Sequence, residues 1–298
     1  MLPDLDSIAC FVAAARTLNF RAAAKSVSLT PAAFGKRIAQ LETLVGHRLF
    51  QRTTRHVSLT PNGEAMLPEA LRLLDMADEC VRAGRERAGP APVRVTIGTG
   101  HELGLAWLVP MLPLLNECLP NLDVNFYFGS GPDLEERVRA LDIHCAVTSR
   151  GFADPLFDAL RLKKEGFVFV GSASLLAHRP FLHAEDAKAH VLIDVEQSQP
   201  LYRYFREAES APASLRFRHA LIMGTAAAVR ALVHAGEGVA VLPHYLVKSD
   251  LDNGSLVPLF PEVEMRCDYF RLMYRSDDPK MPLYAELAKV MRSRPLTT

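Results

Sequence analysis

Phe20-Arg-Ala-Ala-Ala-Lys-Ser-Val-Ser-Leu-Thr-Pro-Ala-Ala-Phe-Gly-Lys-Arg-Ile-Ala-Gln-Leu-Glu42 is the stretch whose reading decides the fold. It opens as a short Ala-rich helix, turns through Ser28-Leu29-Thr30 and starts a second helix at Pro31. Thr30 is a good N-cap and proline suits the first helical position. Along that second helix Phe34, Ile38, Leu41 and Val45 fall on one apolar face. The opposite face presents Ala32, Lys36, Ala39, Gln40 and Thr43, with Gly35 and Arg37 on the flanks. Small residues permit close approach and long polar ones reach base edges or phosphates, so the pattern suits a helix lying in a DNA major groove.

The flanks extend this reading. Residues 4–16 carry Leu5, Ile8, Ala9, Val12 and Ala15 on one stripe, an amphipathic helix. Leu49–Arg52 and His56–Leu59 read as short strands around Thr53-Thr54-Arg55, a basic wing. The candidate DNA contacts are therefore Arg21, Thr30, Pro31, Ala32, Gly35, Lys36, Arg37 and Gln40, with Arg52 and Arg55 as phosphate clamps. Arg21 and Lys25 fit plain surface charges equally well. Thr60-Pro61 repeats the helix-start signal, and the helix it opens runs to about Arg87, roughly 40 Å at the α-helical rise. Its stripe of Met66, Ala70, Leu73, Ala77 and Cys80, widened by Leu67, Leu71, Leu74 and Val81, asks for a partner, most simply its twin in a dimer. The alternative is an ordinary helix packed on its own domain.

The length of 298 residues suggests roughly two domains. With 49% hydrophobic and 23% charged residues the composition is that of a globular protein. Net charge is zero, but residues 1–60 hold eight basic side chains against three acidic ones, a basic head on an acidic body. The acidic start Met1–Asp6 has no apolar leader, and the longest uncharged apolar stretch, Leu103–Asn116, contains Pro110 and Pro113 and is too short to span a bilayer. The expectation is a cytoplasmic protein with no membrane partner. Five scattered cysteines form no C-x-x-C pair, which argues for reduced thiols and no metal site.

Beyond the linker Gly89-Pro-Ala-Pro92, strand-like and helix-like segments alternate. Strands at 93–97, 123–128 and 143–148 with helices at 103–118 and 133–141 make a βαβαβ pattern with a parallel sheet. A second set follows: strands at 167–170, 191–195, 215–223 and 239–242 with a helix at 225–235. A strand at 268–274 and a helix at 283–292 return to the first lobe. The fold class is thus α/β multidomain. A winged helix-turn-helix occupies 1–60, a dimerisation linker helix 61–88 and a hinge 89–92. A two-lobed effector-binding domain fills 93–298, with lobe I at about 93–163 and 267–298 and lobe II at about 164–266.

A ligand in such a clamp lies between the lobes, at strand C-termini and helix N-termini. That geometry nominates Thr99, Gly100, His101, Gly129, Ser130, Gly131, Thr148 and Ser149 in one lobe, and Gln197, Ser198, Met223, Gly224 and Thr225 in the other. Helix N-termini and Ser/Thr-rich loops favour a small organic anion.

The chain resembles the LysR-type transcriptional regulators. The resemblance is carried by Phe11-Val-Ala-Ala-Ala, Asn19-Phe20, Ala22-Ala23, Leu29-Thr30, Ala33, Ile38, Leu41-Glu42, Gly46, Leu49-Phe50, Arg52 and Leu59-Thr60 with Gly63-Glu64. Leu108-Val-Pro110, Pro120 and Gly236-Glu-Gly-Val-Ala-Val-Leu-Pro243 carry it more loosely into the second domain. It departs where the family's recognition helix usually begins Ser-Gln and carries a serine, positions that read Thr30-Pro31 and Gly35 here. The resemblance implies an effector domain like a periplasmic binding protein, a homodimer or homotetramer, and binding to double-stranded promoter DNA near RNA polymerase.

An enzyme is the competing class. Gly98-x-Gly100 lacks the third glycine of a dinucleotide fingerprint, and no P-loop, H-E-x-x-H or G-x-S-x-G motif occurs. The expected function is a sequence-specific regulator whose DNA binding or bending responds to a small-molecule effector, with no catalytic residues and no cofactor. The alternatives are a constitutive DNA-binding protein without ligand and, last, a small-molecule enzyme.

Overall fold

Local capping starts each helix of the head. The Asp4 carboxylate accepts the Ser7 N–H and hydroxyl, both at 2.8 Å, ahead of α1 (Leu5–Thr17). Asn19 accepts from the amides of Arg21 and Ala22 to open α2 (Phe20–Ser26). The Thr30 hydroxyl accepts the Ala33 N–H at 3.2 Å to open α3 (Pro31–Val45), which Gly46 ends at φ +80°. Strands β1 (Phe50–Arg52) and β2 (Val57–Leu59) pair antiparallel. Glu42 on α3 accepts the Leu49 and Phe50 amides at 2.8 and 3.2 Å, tying that helix to the wing. Helix α4 (Pro61–Arg85) begins close under β1: a Cβ on Gly63 would lie 2.2 Å from the Leu49 carbonyl oxygen, so only glycine fits there.

The computed structural model describes residues 2–52, 57–85, 92–198, 200–212 and 215–296. The wing tip with Arg55 and residues 89–91 of the linker lie outside them. The chain divides into two compact units, Met1–Val93 and Arg94–Thr298.

The core of the first unit joins Ile8, Phe11 and Val12 to Phe34, Ile38, Leu41, Leu49 and Phe50, with Ala23 and Ala24 permitting close helix packing. Phe20 sits edge-on to both Phe34 and Phe50. Two expectations change here. Val45 is exposed, because the last residue of α3 projects past the core that holds Phe34, Ile38 and Leu41. Ala70 is buried in this core and Met66 packs against it, so these two expected dimer contacts are spent inside the head. Leu73, Met76, Cys80 and Val81, further along α4, are exposed.

The second unit contains two five-stranded sheets. In chain order its elements begin with β3 (Val93–Thr99), α5 (His101–Leu103), a π-turn (Gly104–Leu108), α6 (Val109–Cys118), β4 (Leu122–Phe128), α7 (Gly131–Arg139), β5 (Cys145–Thr148) and β6 (Phe157–Glu165). The second lobe holds β7 (Phe167–Ser172), α8 (Ala173–His178), a 3-10 turn (Ala184–Ala189), β8 (Val191–Asp194), α9 (Arg203–Arg206), β9 (His219–Ile222), α10 (Ala226–His234), β10 (Val239–Pro243), α11 (His244–Asp252) and β11 (Leu256–Pro258). The chain returns through β12 (Asp268–Arg275) and α12 (Met281–Ser293). The π-turn precedes Pro110, whose missing N–H cannot make the α-helical bond to residue 106.

The sheets are mixed rather than parallel. One runs in the order β4-β3-β5-β12-β6, with β3 parallel to β5 and β12 antiparallel to both β5 and β6. The other runs β11-β7-β10-β8-β9, with β8 parallel to β9 and β10, and β7 antiparallel to β10 and β11. The cause is the double crossing between lobes. β5 and β6 end facing the second lobe, so β12, returning from it, must run against both. The strand expected over 215–223 is shorter because Phe217 joins an aromatic cluster with Phe169, Phe181 and Tyr202, and Leu215 packs beside it.

Candidate nucleic-acid interface and ligand cleft

The outer strip of α3 consists of Pro31, Ala32, Lys36, Ala39, Gln40 and Thr43, all exposed. At 15 residues the helix is about 22 Å long, ample for a major groove about 12 Å wide. A Cβ on Gly35 would meet nothing within 4 Å, so the glycine serves no packing need and leaves a shallow spot on this strip. The Thr30 hydroxyl is already committed as the helix cap.

Arg37 behaves differently from its expected role. Its guanidinium lies 2.9 Å from Asp6 and 3.4 Å from Asp4, bracing α3 against the acidic start of α1. A cation held by two carboxylates is a poor reader of phosphates. Arg52 stacks its guanidinium 4.1 Å over the Phe20 ring and approaches Glu42 at 3.8 Å, remaining partly exposed at the base of the wing. Arg21 is exposed at the start of α2.

In the second unit a cleft of about 480 Å³ lies between the two sheets. Gly100, His101, Gly129, Ser130, Gly131, Thr148 and Ser149 line it from one lobe, Gly224 and Thr225 from the other. Three helices start at this cleft. α5 has Gly100 at its N-cap and α7 has Ser130, neither with a side-chain cap bond, whereas Thr225 caps α10 by accepting the Ala228 N–H. The Glu102 carboxylate crosses between the lobes and accepts the Ala227 N–H at 3.1 Å. A carboxylate from this chain thus already sits at the positive end of α10, where a helix N-terminus favours an anion.

Four expected residues fall elsewhere. Thr99 is fully buried, its methyl facing the close approach at Gly104. Met223 packs on the hydrophobic core around Ile193 and Val229. Gln197 and Ser198 are exposed and do not line the cleft. The reason is Asp194, which accepts the amides of Val195, Leu201 and Tyr202 at 2.7, 2.8 and 3.0 Å. Gathering Val195, Leu201 and Tyr202 onto one carboxylate leaves Gln197 and Ser198 exposed and brings Val195, Glu196, Leu201, Arg203 and Tyr204 to the cleft.

Glu165 and Phe167, which flank the crossing between lobes, line the cleft without being among the expected site residues. Phe167 stacks on Tyr204 with centroids 3.8 Å apart. The Tyr204 hydroxyl donates to Asp268 at 3.2 Å and accepts from Arg203 at 3.0 Å. Glu165 is 5% exposed and lines the cleft. Burial pushes its carboxyl up to about 7; Asp268 adds to the rise, while Ser149 and Arg203 oppose it. Its sequence context, Arg161-Leu-Lys-Lys-Glu165, reads as an exposed charged run. Only the pairing of β6 with β12 hides it.

Comparison with known proteins agrees with this architecture. The family model described as bacterial regulatory helix-turn-helix protein, lysR family, matches residues 5–64, and that of the LysR substrate binding domain matches 88–295. A glycine cleavage system transcriptional activator homolog from Haemophilus influenzae is 28% identical over 260 residues, covering 87% of this chain and 84% of its own. The crystal structure of ArgP from Mycobacterium tuberculosis superposes with a TM-score of 0.74 at 19% identity, covering 98% of this chain and 97% of the other. Full-length LysG from Corynebacterium glutamicum with bound effector Arg superposes with a TM-score of 0.67 at 16% identity, covering 98% and 100%. At these identities the two structures bear on fold alone.

Proposed function

The chain belongs to the LysR family of transcriptional regulators, with a DNA-binding head and an effector-binding domain, and on that premise we propose how its own residues divide the work. The strip of Ala32, Gly35, Lys36 and Gln40 enters the major groove, with Lys36 and Gln40 reaching bases or phosphates. Thr30 and Pro31 set the start of that helix, and Arg21, Arg52 and Arg55 steady the head on the backbone. Two heads act together. The exposed Leu73, Met76 and Val81 on α4, with Ala77 and Cys80, form the seam to a second copy, and two such dimers make a tetramer at a promoter, within reach of RNA polymerase.

The effector is a small organic anion taken up between the lobes. The observation that carries this reading is the uncapped start of α7 at Ser130 facing the Glu102 bridge across the same cleft. An effector shifts the lobes only by binding one arrangement better than the other. Here it competes with or reinforces the Glu102–Ala227 contact and so changes how the lobes close. No described helix is long and apolar enough to cross a membrane. We place the protein with its DNA in the cytoplasm and assign it neither catalysis nor cofactor.

The test is fluorescence anisotropy of the full chain on a labelled fragment from upstream of its own coding sequence, against a random fragment across a salt series. Preferential, salt-sensitive binding is expected. Equal binding to both fragments would remove the sequence-specific reading.

A further inference from the structure

Beneath the cleft a recess of about 140 Å³ opens between Gly129, Gly131, Ser149, Glu165, Tyr245 and Phe270. A cavity of roughly this size holds a group no larger than a benzene ring. Its one buried carboxyl belongs to Glu165, and the Oε2 atom of that carboxyl is buried with no hydrogen-bond partner. Leaving such an oxygen unsatisfied is costly, and a glutamine or an apolar side chain would cost the fold less.

The surroundings indicate which donor is missing. Glu165 lies directly opposite Asp268 in the β6–β12 register, so two acidic groups face each other across neighbouring strands. Asp268 has its own partners, Arg271 at 3.1 Å and the Tyr204 hydroxyl. Arg203, whose charge acts on Glu165, donates to the Tyr204 hydroxyl and lies over that ring. Glu102 and Glu196 line the same cleft. A neutral hydroxyl would satisfy the oxygen but leave the crowded negative charge; a cation answers both.

We propose that Glu165 selects the effector by its nitrogen: the small anion bound in the cleft also carries an ammonium group, which enters the recess and pairs with the Glu165 carboxylate. The effector is then a small amino acid or a close zwitterionic relative. This rests on the cleft being the effector site and adds the chemical class of what enters it.

The pairing has a proton signature. Below about pH 7 the buried carboxyl is largely protonated, and an ammonium partner forces it to ionise. Binding therefore releases a proton, and affinity rises with pH, by up to tenfold per unit below 7, then levels off. Other groups facing Glu165 are Asp268, Arg203, Tyr204 and Tyr245. Arg203 and both tyrosines are shifted upward, away from this range.

The experiment is a thermal-shift and calorimetric screen of the full-length protein. The probes are the common amino acids, β-alanine and 4-aminobutyrate, each binder paired with its des-amino acid (acetate for glycine, propionate for alanine). Wild type, Glu165→Gln and Ala226→Trp are compared, the last filling the cleft mouth. The expected result is that an amino acid binds wild type and its des-amino acid at least tenfold more weakly. Glu165→Gln loses that preference and the pH slope, and Ala226→Trp abolishes binding. If amine and des-amino forms bind alike, Glu165→Gln changes nothing and Ala226→Trp still abolishes binding, the Glu165 inference falls and the cleft reading stands. Binding that survives Ala226→Trp overturns both. No binding by any probe overturns the amino-compound class, and a wild-type affinity flat between pH 5.5 and 7 overturns the pairing even if Glu165→Gln fails to fold.

Discussion

Substituting Lys36 by alanine separates reading from bracing on α3. Lys36 is exposed and makes no ion pair among the described residues, so its removal costs the fold little, within about 0.5 kcal/mol. On DNA a dimer presents two copies. Each lysine on a phosphate releases about 0.9 of a counterion, so losing both flattens the slope of log K against log salt by about 1.8. Across a fourfold salt range that amounts to roughly a tenfold smaller loss of affinity in the variant than in wild type. Arg37→Ala is the contrast. Its charge is already met by Asp4 and Asp6, so the slope should change by less than half as much. The assay is anisotropy on one duplex from 50 to 200 mM salt for wild type and both variants. If Lys36→Ala leaves both slope and base preference unchanged, or Arg37→Ala flattens the slope more, the division of α3 into a reading strip and a braced flank is wrong.

Two further outcomes follow from buried carboxylates and a third from the exposed face of α4. Asp194→Ala strands three backbone amides, each worth about 1 kcal/mol or more, so thermal unfolding should show a loss of at least roughly 2 kcal/mol, and the 195–202 loop should become protease-sensitive. Glu165 has a folded-state pKa above its unfolded value, so the folded state holds its proton longer and stability is lost as pH rises from about 4.5 to 7. Glu165→Gln should thus be more stable than wild type by about 3 kcal/mol at pH 8 and by much less at pH 5, as denaturant titration at both pH values reads directly. Leu73→Glu with Val81→Glu should shift the protein to monomer in light scattering while circular dichroism of the head stays unchanged, because both side chains are exposed in the single chain; a persistent dimer would move the seam elsewhere.

The head was legible because its signals are local. Thr30-Pro31, Asn19 and Gly46 announce helix ends within a few residues, and Phe34, Ile38 and Leu41 keep one period. The bracing of Arg37 is not legible, because its partners Asp4 and Asp6 lie more than thirty residues away and only the α1–α3 packing brings them near. The same distinction divides the cleft. Gly100, Ser130 and Thr225 precede helices that the sequence marks clearly, so their place at the cleft is legible there. Gln197 and Ser198 do not line the cleft because one buried carboxylate, Asp194, decides which part of their loop faces inward. Glu165 carries no local sign of burial, since its strand reads as charged and becomes interior only beside β12, about a hundred residues on. Met66 and Ala70 follow a sound helical period, but that period does not say whether the covering surface belongs to a twin or to the head itself.

In the proposed function, occupancy of the cleft changes what the head does on DNA. This is tested most directly by measuring affinity and bending of the upstream fragment, by anisotropy and by fluorescence transfer between labelled ends, with and without a compound that raises the melting temperature of wild type but not of Ala226→Trp. A ligand-dependent change in affinity or bend angle is expected in wild type and absent in Ala226→Trp. Identical affinity and bending with the cleft empty and filled would contradict it.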